Sequence, residues 1–402
     1  MLLDTVIFDP SPCDFPTPRV PMLPTLIDSP LGAISMRMRA KSSWTSTRHF
    51  RHFTRARYAL REAYRLAGVG AGTGLLAPSY HCRTMLDPAL ALGGGVALYP
   101  LHRDLSPDLS AIQQIESAAG IPIKAILATH YFGFTQDFGA LRRWAHPRGI
   151  TVVEDCSHAL LCEEFRAEGT GVSGDFVASS PYKFLPSPDG GLLYASDAQR
   201  LAGITTRRLS IGRELRGIEA TLSKAWSHRR TAAACDPQAI AFDFSRIGQP
   251  GLERDELAGP SADYRPDDEE RARLGVSGFI ERHCNIEDVV SRRRQNFQRW
   301  LDAAAGLSTC RPLYPVLPKG CVPYMFPLHI DQPVPLFYHL KHLGVPIWRW
   351  DSIARSSCTT AGDYRTRLLH LPCHQSLRDA EIDWMVAAVT KASQTSIRGV
   401  AA

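Results

Sequence analysis

The most regular feature of the chain is an alternation between short apolar runs and segments whose apolar residues recur every three or four positions. Helical spacing begins at Ala56 and ends before a glycine-rich run over residues 68–74, which predicts a helix followed by a loop. Apolar runs downstream predict strands over residues 75–77, 96–99, 125–130, 150–154, 176–179 and 191–195. Helices are predicted between them, near residues 84–92, over 107–119 with Ser106 as the cap, and over 137–146. This alternation indicates an α/β fold with a mainly parallel sheet sandwiched by helices.

The segments outside this alternation differ from it in composition. Residues 1–40 are rich in proline and lack periodicity, which predicts an extended N-terminal arm laid over a domain surface. Residues 203–275 contain four prolines and an acidic stretch, which predicts a loop-rich excursion. A long helix is predicted over residues 288–303, strands over 324–330 and 345–348, and a last helix over 380–392. We therefore predict an arm (1–40), a large domain (41–303) and a smaller C-terminal α+β domain (304–402).

Composition narrows the class of protein. The chain has 402 residues, of which 44% are hydrophobic and 21% charged, so it can bury a sizeable core. No apolar stretch approaches the roughly 20 residues that span a bilayer, and the early Asp4 is atypical of a secretory signal. The ten cysteines lack the C-x-x-C spacing of zinc or redox sites, and His370 and His374 have no second cluster to complete a metal site. We expect a cytoplasmic protein without a metal or a membrane partner.

The net charge of +6 is modest for this length. It comes partly from two local runs, residues 48–57 and 292–294, which we interpret as solvated helix faces with some anion-binding arginines. A nucleic-acid partner is therefore not expected, because such proteins concentrate positive charge on one face. Small phosphorylated molecules remain natural partners.

Polar side chains follow three of the predicted strands at the point where each strand ends. They are Tyr80 and His81, then Asp155 and His158, then Ser180 and Lys183. Ligands of an open parallel sheet bind beyond the carboxyl ends of its strands, so these side chains are candidates for one site. Taken singly, each motif also has a purely structural interpretation. Tyr80 and His81 could simply pack in the core, Asp155 could be a helix cap or part of an ion pair, and Lys183 could be a surface lysine on a loop. The glycine run over residues 68–74 follows a helix and has Thr73 in the last position of G-x-G-x-x-G, so it does not predict a dinucleotide site.

In combination, these motifs resemble the DegT/DnrJ/EryC1/StrS aminotransferases, pyridoxal-phosphate enzymes of fold type I that act largely on keto sugars. The resemblance rests on R-A-R (55–57), P-S-Y-H-C (78–82), T-H-Y-F-G (129–133), E-D-C-S-H (154–158) and S-P-Y-K-F-L-P-S-P-D-G-G (180–191). It is strong over about residues 50–200 and continues more weakly at residues 292–297, 323–327 and 371–372.

The resemblance implies a role for each of these residues. Lys183 would form the Schiff base with the cofactor aldehyde and later move the proton between Cα and C4′. Asp155 would hold a proton on the pyridine nitrogen, so that the ring can accept electrons. The resemblance further implies that His158 lies beside the ring oxygen, that Ser180 and the helix opening at Ala56 and Arg57 bind the phosphate, and that His81 or Tyr80 covers the ring face.

Some positions depart from the family pattern. Ala56, between Arg55 and Arg57, stands where the family has a glycine, and an arginine fork could replace backbone contacts to the phosphate. The family segment Gly-x-Asn-x-Arg is not recognisable, and residues 275–277 are a candidate to take its place.

Three functions follow from this interpretation. The first is a homodimeric aminotransferase that moves an amino group, from glutamate by resemblance, to a keto acceptor such as a nucleotide-linked keto sugar. The second is another pyridoxal-phosphate reaction on an amino acid: decarboxylation, aldol cleavage or substitution. The third is a non-catalytic relative, which would have lost Lys183 or Asp155, although both are present. Arg349 is either a ligand for a substrate carboxylate or a surface cation flanked by tryptophans.

Overall fold

The computed structural model describes residues 3–9, 15–26, 50–166, 174–195, 197–231, 235–241, 251–257 and 259–398. The strands are β1 (Leu3–Asp9), β2 (Phe50–Phe53), β3 (Gly74–Pro78), β4 (Gly95–Tyr99), β5 (Ile123–Thr129), β6 (Thr151–Asp155), β7 (Phe176–Ser179), β8 (Gly191–Ala195), β9 (Gly251–Leu257), β10 (Cys310–Pro312), β11 (Met325–Ile330), β12 (Ile353–Ala354) and β13 (Leu368–Pro372). The helices are α1 (Ala56–Ala67), α2 (Asp87–Ala91), α3 (Leu109–Ala118), α4 (Gly139–Ala145), α5 (Glu163–Arg166), α6 (Ile211–Thr231), α7 (Gly275–His283), α8 (Ile286–Ala304), α9 (Pro333–Leu343), α10 (Thr359–Arg367) and α11 (Asp379–Arg398).

A seven-stranded sheet forms the centre of the fold, in the order β2-β8-β7-β6-β5-β3-β4. The strands β4, β3, β5, β6 and β7 run parallel, while β8 and β2 complete one side in antiparallel pairing. The inner strands are buried along almost their whole length, as expected where helices cover both faces of a parallel sheet. The predicted α/β fold is confirmed, and each of the six predicted strands of this region is present.

The helix α1 ends where the glycine run begins. Gly68 has φ +89°, and its N–H bonds back to the carbonyls of Arg65 and Tyr64. Glycine adopts this left-handed conformation without steric penalty, which is why the helix ends here. The predicted helix and the loop after it are confirmed.

Two smaller antiparallel sheets lie outside the central one. One contains β10, β11 and β13, and α8 covers it through Trp300, whose ring stacks on Phe326 at 5.7 Å between centroids. The other contains β12, β1 and β9, so residues 3–9 of the predicted arm are a paired strand. Residues 27–40 of the arm lie outside the described residues. The division into an arm and two domains stays a prediction.

Two predicted element boundaries are wrong. The cap of α3 is Asp108, whose carboxylate accepts from the N–H groups of Ser110 and Ala111, while Ser106 bonds to Asp104 instead. The carboxylate at position 108 reaches the free amides of the first turn, so the helix starts after it. Residues 345–348 do not form a strand, because only Trp348 makes a β-bridge there.

The loop-rich interpretation of residues 203–275 is also wrong in part. This region contains α6, a helix of 21 residues that is buried through Gly217, Thr221, Ala225 and His228. The prolines of the region all lie beyond the end of α6, so they do not interrupt it. Among the described residues, no helix has the length and apolar character needed to cross a membrane.

Candidate functional site

Asp155 is the last residue of β6, at the carboxyl edge of the central sheet. It is 2% exposed and lies in register between Thr129 of β5 and Ala178 of β7. Its Oδ1 accepts the backbone N–H of Ser157 at 2.8 Å, which fixes the side chain at the strand end. The sheet therefore presents a buried carboxylate at the edge where parallel sheets bind ligands.

The turn that carries Lys183 is tied to the segment after Asp155. Residues Pro181–Lys183 form a single helical turn after β7, and the Ser180 hydroxyl donates to Ser157 Oγ at 3.2 Å. Both serines are buried. This hydrogen bond joins the loops that follow β6 and β7, so the predicted Ser180, Lys183 and Asp155 belong to one region.

Lys183 lies beside a buried group of rings. Its Nζ is 5.4 Å from the centroid of the Tyr324 ring, and the His158 ring stacks on the same tyrosine at 4.3 Å. The Phe132 N–H donates to His158 Nδ1 at 3.3 Å, which leaves the proton of the neutral imidazole on Nε2. Burial first, then the charges of Lys183 and His370, lower the pKa of His158 well below its usual value. His158 is therefore a neutral hydrogen-bond donor next to the lysine.

Tyr80 and His81, the two candidates for covering the ring, have different surroundings. The Tyr80 hydroxyl is hydrogen-bonded to His370 Nε2 at 2.9 Å, and its ring lies 4.9 Å from that of Trp350. Burial, and after it the charge of Lys183, lower the pKa of His370 to about 3, which indicates that His370 lies near the lysine. Because Tyr80 is hydrogen-bonded to His370, it also belongs to the rings around Lys183. His81 Nε2 instead accepts the N–H of Ala354 in β12 at 3.1 Å. These contacts favour Tyr80 over His81.

The start of α1 packs against the loop after Lys183. A Cβ on Gly191 would lie 2.3 Å from the carbonyl of Arg55 and 2.6 Å from the nitrogen of Ala56, so only glycine allows this approach. The Arg55 guanidinium lies 4.6 Å from the Tyr182 ring centroid. The Arg57 side chain donates to the carbonyl of Asp263. Near the helix start, Arg57 therefore offers a ligand only its backbone N–H. The free amides of the first turn therefore lie next to the Lys183 loop.

A buried hydroxyl without a partner lies at the same helix start. Thr54 Oγ1 has no hydrogen-bond partner in the described part of the chain, and Thr54 is 8% exposed. An unpaired buried hydroxyl is costly unless a ligand completes it. The sequence motifs did not single out this residue, although it directly precedes the R-A-R segment.

The comparisons with known proteins agree with this geometry. A family model described as the DegT/DnrJ/EryC1/StrS aminotransferase family matches residues 41–218. The resemblance to this family that the motifs predict is confirmed over these residues. A UDP-N-acetyl-3-dehydro-alpha-D-glucosamine 3-aminotransferase of Acidithiobacillus ferrooxidans is 28% identical over 149 residues, which is 35% of this chain and only 38% of that relative.

Solved structures of aminotransferases share the fold over most of the chain. The aminotransferase TlmJ from Streptoalloteichus hindustanus superimposes with a TM-score of 0.60 at 19% identity, covering 88% of this chain and 87% of its own. PseC from Helicobacter pylori, an aminotransferase involved in pseudoaminic acid biosynthesis, gives 0.58 at 14% identity and covers 89% and 92%. At these identities the likeness shows the fold alone.

Arg293 joins the Lys183 turn to Tyr324, within a segment where the likeness to the DegT/DnrJ/EryC1/StrS motifs is weak. It is fully buried in α8, where burial lowers its pKa to about 10. Its guanidinium donates to the oxygens of Lys183 (2.9 Å), Phe184 (3.3 Å), Pro323 (3.0 Å), Tyr324 (3.1 Å) and Gln375 (2.9 Å). From the sequence, residues 292–294 are interpreted as a charge run and residues 292–297 as a weak continuation of the family motifs, neither of which predicts a buried arginine. The detectable signal is that position 293 falls in the buried stripe of α8, with Val289 and Phe297.

We expect Arg293→Met to lower the free energy of unfolding by about 3 kcal/mol or more, because buried carbonyl oxygens would lose their donors. Arg294→Met, on the same helix, is the matched control. Arg294 is bonded to Pro318 and Cys321 at the surface, so a loss below about 1 kcal/mol is expected. Urea unfolding followed by circular dichroism measures both. Equal losses would show that the buried contacts of Arg293 have no special weight.

The loop before β8 is held by residues of α7 in the same chain. Asp189 accepts from the Leu274 N–H at 3.1 Å and from the Ser277 hydroxyl. Glu281 lies nearby, 2% exposed, with its Oε2 at 3.4 Å from Nε of Arg273. Burial outweighs the arginine and raises the pKa of Glu281 to about 7. The 275–277 segment thus contacts Asp189 in the loop before β8 through Ser277, although its role toward a neighbouring subunit stays a prediction.

Glu281 predicts a pH dependence of stability. Its pKa is about 7 in the folded chain against a reference value of 4.5, so the folded state binds more protons between these values. The free energy of unfolding should therefore fall as the pH rises from 4.5 to 7. We expect Glu281→Gln to remove this slope. At alkaline pH the free energy of unfolding of the variant should exceed that of the parent by about 2 kcal/mol. Urea unfolding of both variants across this pH range measures the slope, with Glu219→Gln as the control because Glu219 is exposed. If Glu281→Gln keeps the same slope as the control, Glu281 is not its cause.

One group of side chains at the carboxyl edge has metal-ligand character. His130, Glu154 and Cys156 are buried with candidate ligand atoms within 4.8 Å of one another. However, His130 Nδ1 accepts the Gln136 N–H, so its Nε2 carries the proton and donates to Glu154 at 2.7 Å. This arrangement is a hydrogen-bonded pair that joins the ends of β5 and β6 next to Asp155.

Proposed function

We propose that this protein is a pyridoxal-phosphate-dependent aminotransferase. It would move an amino group from a donor, glutamate by family resemblance, to a keto acceptor such as a nucleotide-linked keto sugar in a biosynthetic pathway. One observation carries the proposal: Lys183, the neutral His158 and the buried Asp155 lie in one region at the carboxyl edge of the sheet. The family match over residues 41–218 supports it.

The residues present fit pyridoxal phosphate. The carboxylate of Asp155 suits a protonated pyridine nitrogen, and the Nε2–H of His158 suits the ring oxygen. The ring of Tyr80 is a candidate to cover one face. For the phosphate, the chain offers the first amides of α1 at Ala56 and Arg57, the hydroxyl of Ser180 and the unpartnered hydroxyl of Thr54.

When bound, the cofactor supplies a carbonyl for exchange with amines and a protonated ring that takes up the electrons released at the substrate Cα. Lys183 would hold the cofactor through its amine and would serve as the base that moves a proton at the substrate Cα. Asp155 would hold a proton at the ring nitrogen. Since the pKa of His158 is lowered well below its usual value, the imidazole donates a hydrogen bond and does not compete with Lys183 for the proton.

We also propose a cytoplasmic homodimer, as the family resemblance implies. The cysteines of the described residues are free thiols, which agrees with a reducing compartment. Equilibrium sedimentation would show a mass of twice 44.4 kDa if the protein is a dimer.

The half-reaction with L-glutamate tests the proposed function. We expect glutamate to convert the lysine-bound form of the cofactor to its amine form, with one 2-oxoglutarate released per site and no carbon dioxide. D-Glutamate is the matched control and should leave the spectrum unchanged. Release of carbon dioxide without the amine form would replace the proposal by a decarboxylase, and an absorbance that no amino acid alters would favour a non-catalytic relative.

A further inference from the structure

A cavity of about 410 Å³ lies beside the turn that carries Lys183. Its walls are residues 17, 18 and 20–25 of the arm, one face of α6, residues 182 and 186–188 of the loop after β7, and Trp348. Tyr182, which directly precedes Lys183, lines it, and so does Arg55, which directly precedes the start of α1. The volume is in the range of pockets for small organic ligands, about 300–1,000 Å³.

The arm forms a fixed wall of this cavity. Its Arg19 N–H donates to Gly344 at 2.9 Å, and His374 Nε2 donates to the carbonyl of Pro21 at 2.9 Å. Farther along, the Thr25 side chain is hydrogen-bonded to His228 of α6 at 2.7 Å. These bonds hold the apolar side chains of the arm, such as Val20 and Leu23, against the cavity.

The cavity contains two cations and no acid. Arg55 and Lys224 line it, whereas no aspartate or glutamate does. The hydrogen-bond and ring partners of Arg55 are neutral: its guanidinium donates to the carbonyls of Thr54 at 3.3 Å and Pro188 at 3.0 Å and lies over the Tyr182 ring. Its charge also acts on Asp189, which does not line the cavity. Lys224 is an exposed residue on α6; desolvation of its amine, and after it the charge of Arg55, lower its pKa, so the two cations repel each other. A bound anion would relieve this repulsion.

We propose that this cavity binds the phosphate group of a phosphorylated organic reactant, with Arg55 and Lys224 as its ligands and the apolar arm against the organic part. Two cations that line one cavity match the double charge of a phosphate better than the single charge of a carboxylate. The inference deepens the proposed function, since the reactant would be its acceptor. Arg55 lies inside the segment 41–218 that matches the family, whereas Lys224 and the arm residues that line the cavity lie outside it.

Calorimetric titration of the cofactor-loaded protein with inorganic pyrophosphate tests the site. We expect saturable binding that Lys224→Met weakens about tenfold, because one of two charged ligands is lost. Arg229→Met is the matched control: Arg229 is an exposed cation on the same helix that does not line the cavity, so a change below about twofold is expected. Thermal unfolding of both variants shows whether they are folded.

Three results would overturn the proposal. Equal weakening by both variants, or no binding, would mean that the cavity has no specific phosphate site. Glutarate binding as tightly as pyrophosphate, with the same dependence on Lys224, would make it a carboxylate site. Binding to the cofactor-free protein alone would assign the cations to the cofactor phosphate. Because titration does not require turnover, pyrophosphate can bind when the glutamate half-reaction fails, and the two proposals fail separately.

Discussion

Lys183→Ala should abolish the absorbance of lysine-bound pyridoxal phosphate and lower aminotransferase turnover by about 10³-fold or more. The variant lacks both the amine that attaches to the cofactor and the base that moves the proton. The fold should persist, because Arg293 holds this turn through the backbone carbonyls of Lys183 and Phe184, which alanine keeps. Absorbance spectra and a coupled glutamate assay measure the two effects.

Lys319→Ala is the control for this experiment, since Lys319 is an exposed lysine away from the candidate site. It should keep both the spectrum and the rate. A Lys183→Ala protein that retains the absorbance of the parent would show that the cofactor is attached elsewhere, or that no cofactor is held by a lysine.

Asp155→Asn should lower turnover by about 10²–10³-fold while the cofactor remains attached to Lys183. The amide oxygen can still accept the Ser157 N–H, so the loop after β6 should keep its shape. What is lost is the negative charge that keeps a proton on the ring nitrogen, and with it the capacity of the ring to accept electrons. The expected signature is therefore a lower kcat in the half-reaction with little change in the attached fraction.

Asp155→Glu keeps the charge and is the matched comparison. It should recover part of the rate, although the longer side chain does not fit the buried strand end as well. If Asp155→Asn turns over glutamate at the parental rate, the carboxylate has no role toward the ring nitrogen and only supports the loop.

The parts of the site that could be predicted from sequence are those set by local order along the chain. Asp155 and Lys183 each follow an apolar strand directly, and parallel strands place their carboxyl ends at one edge, so their proximity follows from topology. The stacking of His158 on Tyr324 does not, because residues far apart in sequence are brought together only by the packing of the small sheet. No local sequence pattern distinguishes Tyr80 from His81 as the residue that covers the ring. No local pattern predicts that the hydroxyl of Thr54 is buried without a partner.

The helix α6 was missed for a different reason. Its large apolar residues, such as Ile211, Leu215 and Trp226, recur at helical spacing but are exposed, whereas its buried face consists of small and polar residues. Apolar residues at this spacing are the usual signal of an amphipathic helix, so the sequence does contain a signal for α6, although the buried face is the one with the small and polar residues. The prolines and acidic residues beyond it then made the whole segment resemble a loop.

Arg349 shows how a flanking sequence can mislead. The interpretation as a surface cation is wrong: the residue is 7% exposed, its Nε is 3.3 Å from Asp351 Oδ2, and its guanidinium lies 3.6 Å from the centroid of the Phe337 ring. The interpretation as a ligand of a substrate carboxylate stays a prediction. The adjacent tryptophans suggested a surface cation, but a local carboxylate two residues away allows the charge to be buried. Its role in this structure is to support the packing of α9.

The central claim is that Lys183 is the residue that holds pyridoxal phosphate. Borohydride reduction of the cofactor-loaded protein makes the bond between the cofactor and its lysine permanent. Peptide mass mapping then identifies the lysine that carries the cofactor. The account predicts a phosphopyridoxyl group on the peptide that contains Lys183, at close to one per chain, and none on the peptides of other lysines. Labelling spread over surface lysines, or absent from Lys183, would contradict it.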